Sequence, residues 1–163
     1  LSQRKIVDDD YVSNVTMQDL LYEITKSFEE VSDKKINLNI KKKSKKIPIR
    51  RSAEITYGIR NFIGNAVKFS KSQVFIDLEI FKDEFVIKIS DDGPGFPSDI
   101  YNVIGEPYIA SKANELKSKS GLGLGTFIGK TLLERKKAQI NFSNIDKRGA
   151  LVEINWKFSD ILV

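Results

Sequence analysis

From Met17 onward the apolar residues Met17, Leu20, Leu21, Ile24, Phe28 and Val31 recur at intervals of three and four. That period places them on one face of a helix ending near Ser32, with Thr16 as its N-cap. Two short β-like segments follow, Ile36–Ile40 and Ile47–Ile49, around the run Lys41-Lys42-Lys43-Ser44-Lys45-Lys46. They predict a strand pair with the lysines as its solvated hairpin turn, a patch for nucleic acid or acidic lipid being the alternative. A second helix is expected from about Ser52 to Phe69, burying Ile55, Ile59, Phe62, Ile63 and Ala66. The period then changes to two. Val74, Ile76, Leu78 and Ile80 share one face of a strand over Gln73–Phe81, and Phe85, Ile87 and Ile89 share another over Glu84–Ser90, with Lys82-Asp83 as the turn.

Regular structure stops at Asp91-Asp92-Gly93-Pro94-Gly95-Phe96-Pro97. A short helix fits Ser98–Val103. The stretch Gly105–Gly121 is rich in lysine and serine, lacks periodicity, and has the length of a functional loop or lid. Leu122–Lys136 reads as a third helix with Leu124, Phe127, Ile128, Thr131 and Leu132 inward. Strands Gln139–Ser143 and Ala150–Phe158 close the chain around a turn at Asp146–Gly149. Paired strands with three helices predict an α/β two-layer sandwich, a mixed and mostly antiparallel sheet backed by helices. Residues 1–15 are polar and aperiodic and read as a linker from a preceding domain, leaving 16–163 as one folded unit. A first residue that is Leu rather than Met points to a piece of a longer protein.

Composition narrows the chemistry more than the fold. The 163 residues contain neither cysteine nor histidine. Disulfides, thiol nucleophiles, the common zinc arrangements and histidine-based acid–base catalysis are thereby excluded within this sequence. Carboxylates, amides, lysines and glycines remain, a set suited to magnesium and phosphate. A net charge of +5 suits an anionic ligand but does not choose among nucleotide, nucleic acid and membrane surface. No apolar stretch approaches the roughly 18 residues needed to span a bilayer.

Three clusters carry candidate chemistry. Asn61, Asn65 and Lys68 stand at i, i+4 and i+7 on one face of the second helix. An amide oxygen there can ligate Mg²⁺ and the lysine can meet a phosphate. Two packed asparagines and a solvated lysine would give the same pattern. Asp91-x-Gly93-x-Gly95 follows a strand; its carboxylate can accept from an exocyclic amine, while glycines admit a flat base, yet ordinary turns use the same residues. Gly121-Leu122-Gly123-Leu124-Gly125 opens the last helix, where free amides suit phosphate, although close packing would also use glycine.

In this order and spacing the clusters resemble the GHKL ATPase/kinase superfamily, from about Met17 to Phe158. The resemblance implies a Bergerat-type ATP-binding fold with ATP and Mg²⁺ as its cofactors. Asn65 matches the magnesium-ligating asparagine, which with Lys68 would be catalytic, Lys68 as the phosphate-binding lysine. Asp91 matches the adenine-reading aspartate with Gly93 and Gly95, and Gly121, Gly123 and Gly125 match the later glycine box. Asn61, Phe69, Tyr108, Lys112, Leu122 and Leu124 complete the expected nucleotide contacts, Phe69 and Tyr108 as aromatic walls.

The hydrolysing branch of that superfamily carries a glutamate one turn before the magnesium asparagine. Asn61 stands there instead and cannot serve as a general base at neutral pH. Gly105-Glu106-Pro107-Tyr108 resembles the F box of histidine kinases, and with Gly123 through Arg135 it resembles the RegB/PrrB redox-sensing subfamily. The implied function is transfer of the ATP γ-phosphoryl group to a histidine on a dimerisation helix hairpin of the same protein. A homodimer, a response regulator and a cytoplasmic position beneath an inner-membrane anchor are implied with it. Nucleic acid is not expected as a partner, and a membrane is expected only through segments before Leu1. A serine kinase or ATPase of the same superfamily, or a silent nucleotide-binding module, are the alternatives.

Overall fold

A computed structural model describes residues 14–97, 124–146 and 149–163. Strand β1 (Asn14–Thr16) leads directly into helix α1 (Met17–Glu29), whose N-cap is Thr16: its hydroxyl accepts from the Asp19 N–H at 3.1 Å. Strands β2 (Lys35–Asn39) and β3 (Pro48–Arg50) precede helix α2 (Ala53–Phe69), capped by Ser52. Strands β4 (Gln73–Ile80) and β5 (Glu84–Asp91) follow. After them come helix α3 (Leu124–Glu134), strands β6 (Gln139–Asn144) and β7 (Ala150–Lys157), and a four-residue helix α4 (Phe158–Ile161).

The expected strand pair around the lysine run does not form. β2 joins the edge of a five-stranded sheet in the order β2-β4-β5-β7-β6, lying parallel to β4, while β3 pairs antiparallel with β1 in a separate two-stranded ribbon. The reason is burial. Ile36 pairs with Val74 and Leu38 with Ile76 on the large sheet, whereas Ile49, fully buried, faces Val15 in the ribbon. Strand β1 also begins inside the stretch expected to be linker. The other sheet pairings are antiparallel.

Register aligns the apolar positions into rows. Leu38, Ile76, Ile89, Val152 and Phe142 are cross-strand neighbours in turn, as are Leu78, Ile87, Ile154 and Ile140. The apolar sets of β4 and β5 therefore share a single face, because residues directly opposite in a ladder point to the same side. Continuing the alternation Phe85, Ile87, Ile89 by one step puts Asp91 on that inner face, opposite Val74. Trp156 and Phe85, both fully buried, stack at 5.7 Å at the far end of the sheet, and the indole N–H donates to the Lys136 carbonyl at 2.9 Å.

The inner face of α3 also differs from expectation. Thr126, Gly129 and Leu133 face inward, whereas Ile128 is exposed and Phe127, Thr131 and Leu132 are half-buried. Glycine sets this register. A Cβ on Gly129 would meet the Phe62 ring at 3.0 Å, and one on Gly58 would meet Leu133 at 2.5 Å. The two helices sit too close for larger residues along that line, so the most apolar face of α3 is not the one that packs. Gly58→Ala should overpack this contact and cost about 1–3 kcal/mol, read as a lower urea midpoint. Leu133→Ala should cost less in that background than in the native chain, since the two changes share one contact.

Candidate functional site

Helix α2 lies across the inner face of the sheet, and α3 lies against α2. Between them opens a narrow cleft. Phe62, Ala66 and Phe69 form its helical wall, Ile89, Val152 and Phe142 its floor. Phe96, 8% exposed, closes one side. Asn144 fixes it from the end of β6, accepting the Phe96 N–H at 2.7 Å and donating to its carbonyl at 3.0 Å. The Phe96 and Phe142 rings meet edge-on at 5.9 Å.

Among the described residues one charged side chain lines this cleft. Asp91 is 5% exposed, and its Oδ1 accepts the Gly93 N–H at 2.8 Å. The enclosure is tight. A Cβ on Gly149 would lie 2.2 Å from that oxygen, and one on Gly93 would lie 2.1 Å from the Phe69 carbonyl oxygen. Gly95 has φ of 83°, a left-handed conformation that favours glycine.

Asp91 and its neighbour Asp92 are driven in opposite directions. Burial raises the Asp91 carboxyl above its ordinary range; the N–H groups of Gly93 and Ala150 lower it in part, the Asp92 charge raises it, and Lys34 lowers it. Burial pushes Asp92 upward too, but hydrogen bonds from Ser72, Gln73 and Lys71 outweigh it and hold Asp92 well below the usual carboxylate range. Those bonds, 2.7–3.2 Å long, tie the start of β4 to the end of β5.

The structure brings Asn65, Phe69, Asp91 and Gly95 to the cleft, with Gly93 against Asp91. Asn65 donates from Nδ2 to the Thr126 hydroxyl at 3.3 Å, which joins α2 to α3. A Cβ on Gly125 would lie 3.4 Å from Asn65 Oδ1 and 3.7 Å from Asn61 Oδ1, so both amides face the first turn of α3. Asn61 lies on the outer side with Tyr57, Arg60 and Phe28, and its Nδ2 donates to the Tyr57 carbonyl at 2.7 Å. Lys68 is exposed, with its ammonium 5.3 Å from the Phe69 ring centre. Tyr108, Lys112, Gly121, Leu122 and Gly123 lie outside the described residues, with the expected helix at 98–103 and the loop at 105–121. The side chain of Leu124 does too.

Sequence reasoning did not single out Thr126, Phe142, Asn144 or Gly149. Thr126, Gly129 and Leu133 stand at i, i+3 and i+7, a helical face made inconspicuous by its small and polar members. Phe142 was legible as a strand residue, but only register brings it beside Phe96.

A Mg²⁺ site would have to draw on ligand oxygens and water. Among the described residues no group of three or more His, Cys, Asp or Glu stands together. The Asn65 side-chain oxygen fits as one neutral ligand of such a set, since its hydrogen bond to Thr126 uses the nitrogen.

The chain belongs to the family of histidine kinase-, DNA gyrase B- and HSP90-like ATPases, whose model matches residues 51–160. Among curated proteins it is 40% identical over 131 residues to the sensor histidine kinase RegB of Cereibacter sphaeroides, a match covering 71% of this chain and 28% of that protein. The chain thus spans little more than a quarter of that relative's length. The mycobacterial sensor histidine kinase MprB shares the fold with a TM-score of 0.69 at 18% identity, over 88% of this chain and 95% of that one. Full-length ShkA, solved in complex with AMPPNP, matches with a TM-score of 0.72 at 18% identity, over 93% of this chain and 31% of that one.

The two aspartates make opposite predictions for stability against pH. A raised folded pKa favours folding below the unfolded value of about 3.9 and loses that contribution as pH rises through the folded value. Asp91→Asn should therefore raise the urea midpoint at neutral pH, with the gain vanishing below about pH 4. Asp92 contributes above that same value and loses its contribution as pH falls. Asp92→Asn should lower the midpoint at neutral pH, with the deficit shrinking as pH drops below about 4.

Proposed function

We propose that this domain binds Mg-ATP in the cleft between α2, α3 and the sheet, and presents it for phosphoryl transfer to a histidine of another domain. The observation that carries the reading is a buried carboxylate, Asp91, as the single charged group among the described residues that line an otherwise largely apolar slot. An adenine suits that combination, its faces against Phe62, Phe142 and Phe96 and its exocyclic amine donating to Asp91. Membership of the family and the RegB likeness support the choice of ligand.

Each expected contact has a defined task. Asn65 supplies a neutral oxygen for Mg²⁺, and the ion when bound offsets phosphate charge and helps orient the reacting phosphoryl group. Lys68, exposed beyond Asn65 on α2, adds a positive charge at the phosphate end. The amides at Gly121, Gly123 and Gly125 precede or open α3, where an anion is stabilised by unpaired N–H groups. Tyr108 and Lys112 belong to the same reading as further nucleotide contacts.

Phosphoryl transfer depends mainly on positioning and charge stabilisation, so the domain needs no base of its own. Asn61 reinforces this point. Its side-chain N–H donates to Tyr57 and the amide cannot take a proton from water, which disfavours the hydrolytic branch of the family. The acceptor histidine lies on a dimerisation helix hairpin of the same protein, in a homodimeric sensor kinase that passes the group to a response regulator. We place the domain on the cytoplasmic side of the membrane. Among the described residues no helix is long and apolar enough to cross one.

Calorimetry tests the site. Asp91→Asn replaces an acceptor by an amide that must aim either its N–H or its oxygen at the base, and should weaken Mg-ATP binding by on the order of 10- to 100-fold. Asn65→Ala should reduce the gain in ATP affinity on adding magnesium. Unchanged affinity in both variants would sink the assignment. Incubation with ATP and a histidine-bearing helix hairpin should yield acid-labile phosphohistidine on the hairpin, with little phosphate released when the hairpin is omitted.

A further inference from the structure

The segment between β2 and β3 carries Lys41, Lys42, Lys43, Lys45 and Lys46, all exposed. It is not a free hairpin tip. Gln18, 4% exposed in α1, donates from Nε2 to the Lys45 carbonyl at 2.8 Å and accepts the Ile47 N–H at 3.1 Å. The Met17 N–H donates to the Ile47 carbonyl at 2.8 Å, and the Ser44 N–H to the Lys41 carbonyl at 3.0 Å. A buried amide thus uses both its polar ends to hold a run of lysines in one conformation.

The loop lies beside the end of β4. Lys41, Ser44 and Lys45 line an open groove with Leu78, Ile80 and Phe81, and Phe81 is 51% exposed at the β4–β5 turn. Glu79, the acid of that groove, is already paired with Lys88 at 3.1 Å. Among the described residues none of the five loop lysines is in an ion pair. Lys82 and Lys157 add charge at this end of the sheet, and Asp83, Glu84 and Asp160 offset part of it.

We propose that this end of the domain is a docking surface for an anionic lipid bilayer, with the lysines against the headgroups and Phe81 in the headgroup–acyl boundary. Charge complementarity decides the occupant. Lysines are point charges on flexible stems, matched to a diffuse negative surface, whereas nucleic-acid readout favours arginine forks and several stacking rings. The loop has neither, while an exposed aromatic beside a basic cluster suits the bilayer interface. Topology keeps the two surfaces apart. Phe81 precedes β5 and Asp91 ends it, so eight residues of extended chain, roughly 24 Å, separate the groove from the cleft. Docking leaves the cleft open.

Co-sedimentation of the chain with vesicles tests this. Vesicles of phosphatidylglycerol mixed into phosphatidylcholine should retain the protein at low salt and release it as salt rises, whereas phosphatidylcholine alone should not retain it. Changing Lys41, Lys42 and Lys43 together to Gln should weaken retention by on the order of 100-fold, about fivefold per charge. Phe81→Ser should weaken it while leaving the salt dependence unchanged, and Phe81→Trp should add a blue-shifted emission on vesicle binding. Both lysine and Phe81 variants should keep the native melting temperature and ATP affinity, which separates this test from the nucleotide assignment. Equal retention by neutral vesicles, unchanged retention after loss of the lysines, or binding to double-stranded DNA without binding to vesicles would each overturn the proposal.

Discussion

Two helices can lie with their backbones nearly in contact only where the residues between them lack side chains. Gly58 on α2 and Gly129 on α3 meet that condition, with Leu133 and Phe62 filling the space a Cβ would take. The cleft depends on this approach. It sets the distance at which Thr126 can reach Asn65, and it keeps α2 over the sheet with Phe62 and Phe69 facing Ile89 and Phe142. A wider separation would leave the sheet floor and the helical wall too far apart to grip a flat ring. The cost is specificity of shape: a face poor in large apolar residues must still pack, and it can do so only by close contact.

The second constraint is electrostatic. Along β5 the alternation that buries Phe85, Ile87 and Ile89 carries on to a carboxylate, so Asp91 occupies a position where the fold would otherwise place another apolar residue. Burial raises the energy of its charged form, and two backbone N–H groups recover only part of that. Its neighbour Asp92 points the other way and satisfies three N–H groups and a hydroxyl at the α2–β4 turn. Adjacent residues of one type thus divide between a strained position that faces a ligand space and a well-satisfied position that holds the framework. Strand periodicity alone assigns them.

Much of the fold was legible because its elements follow clean periods. Helices α1 and α2, the β4–β5 hairpin, and β6 and β7 all lie close to where alternation and caps put them. Two features were not legible, for different reasons. The segments at 36–40 and 47–49 look like partners because they are neighbours in sequence, but pairing is decided by which apolar surface each can share, and those surfaces belong to different sheets. The inner face of α3 is not its most hydrophobic one, because close packing selects glycine and threonine there. Of the residues lining the cleft, Asn65 and Asp91 were marked by the order and spacing of their motifs, and Phe69 only through the family resemblance. Phe142 and Asn144 could not, since their positions follow from β6 register against β7. Gly149 follows from the tight approach of its backbone to Asp91.

The hydrogen bond between Thr126 and Asn65 has a mechanical meaning. Thr126 stands in the first turn of α3, two residues after Leu124. The amide of Asn65 is therefore held partly by the first turn of α3. A rotation or shift of the first turn of α3 would be felt as a change in aim of the Asn65 side chain, with no movement of α2 needed. The interhelical bond is in this way a linkage as well as a brace, tying the aim of one amide to the position of the first turn of α3.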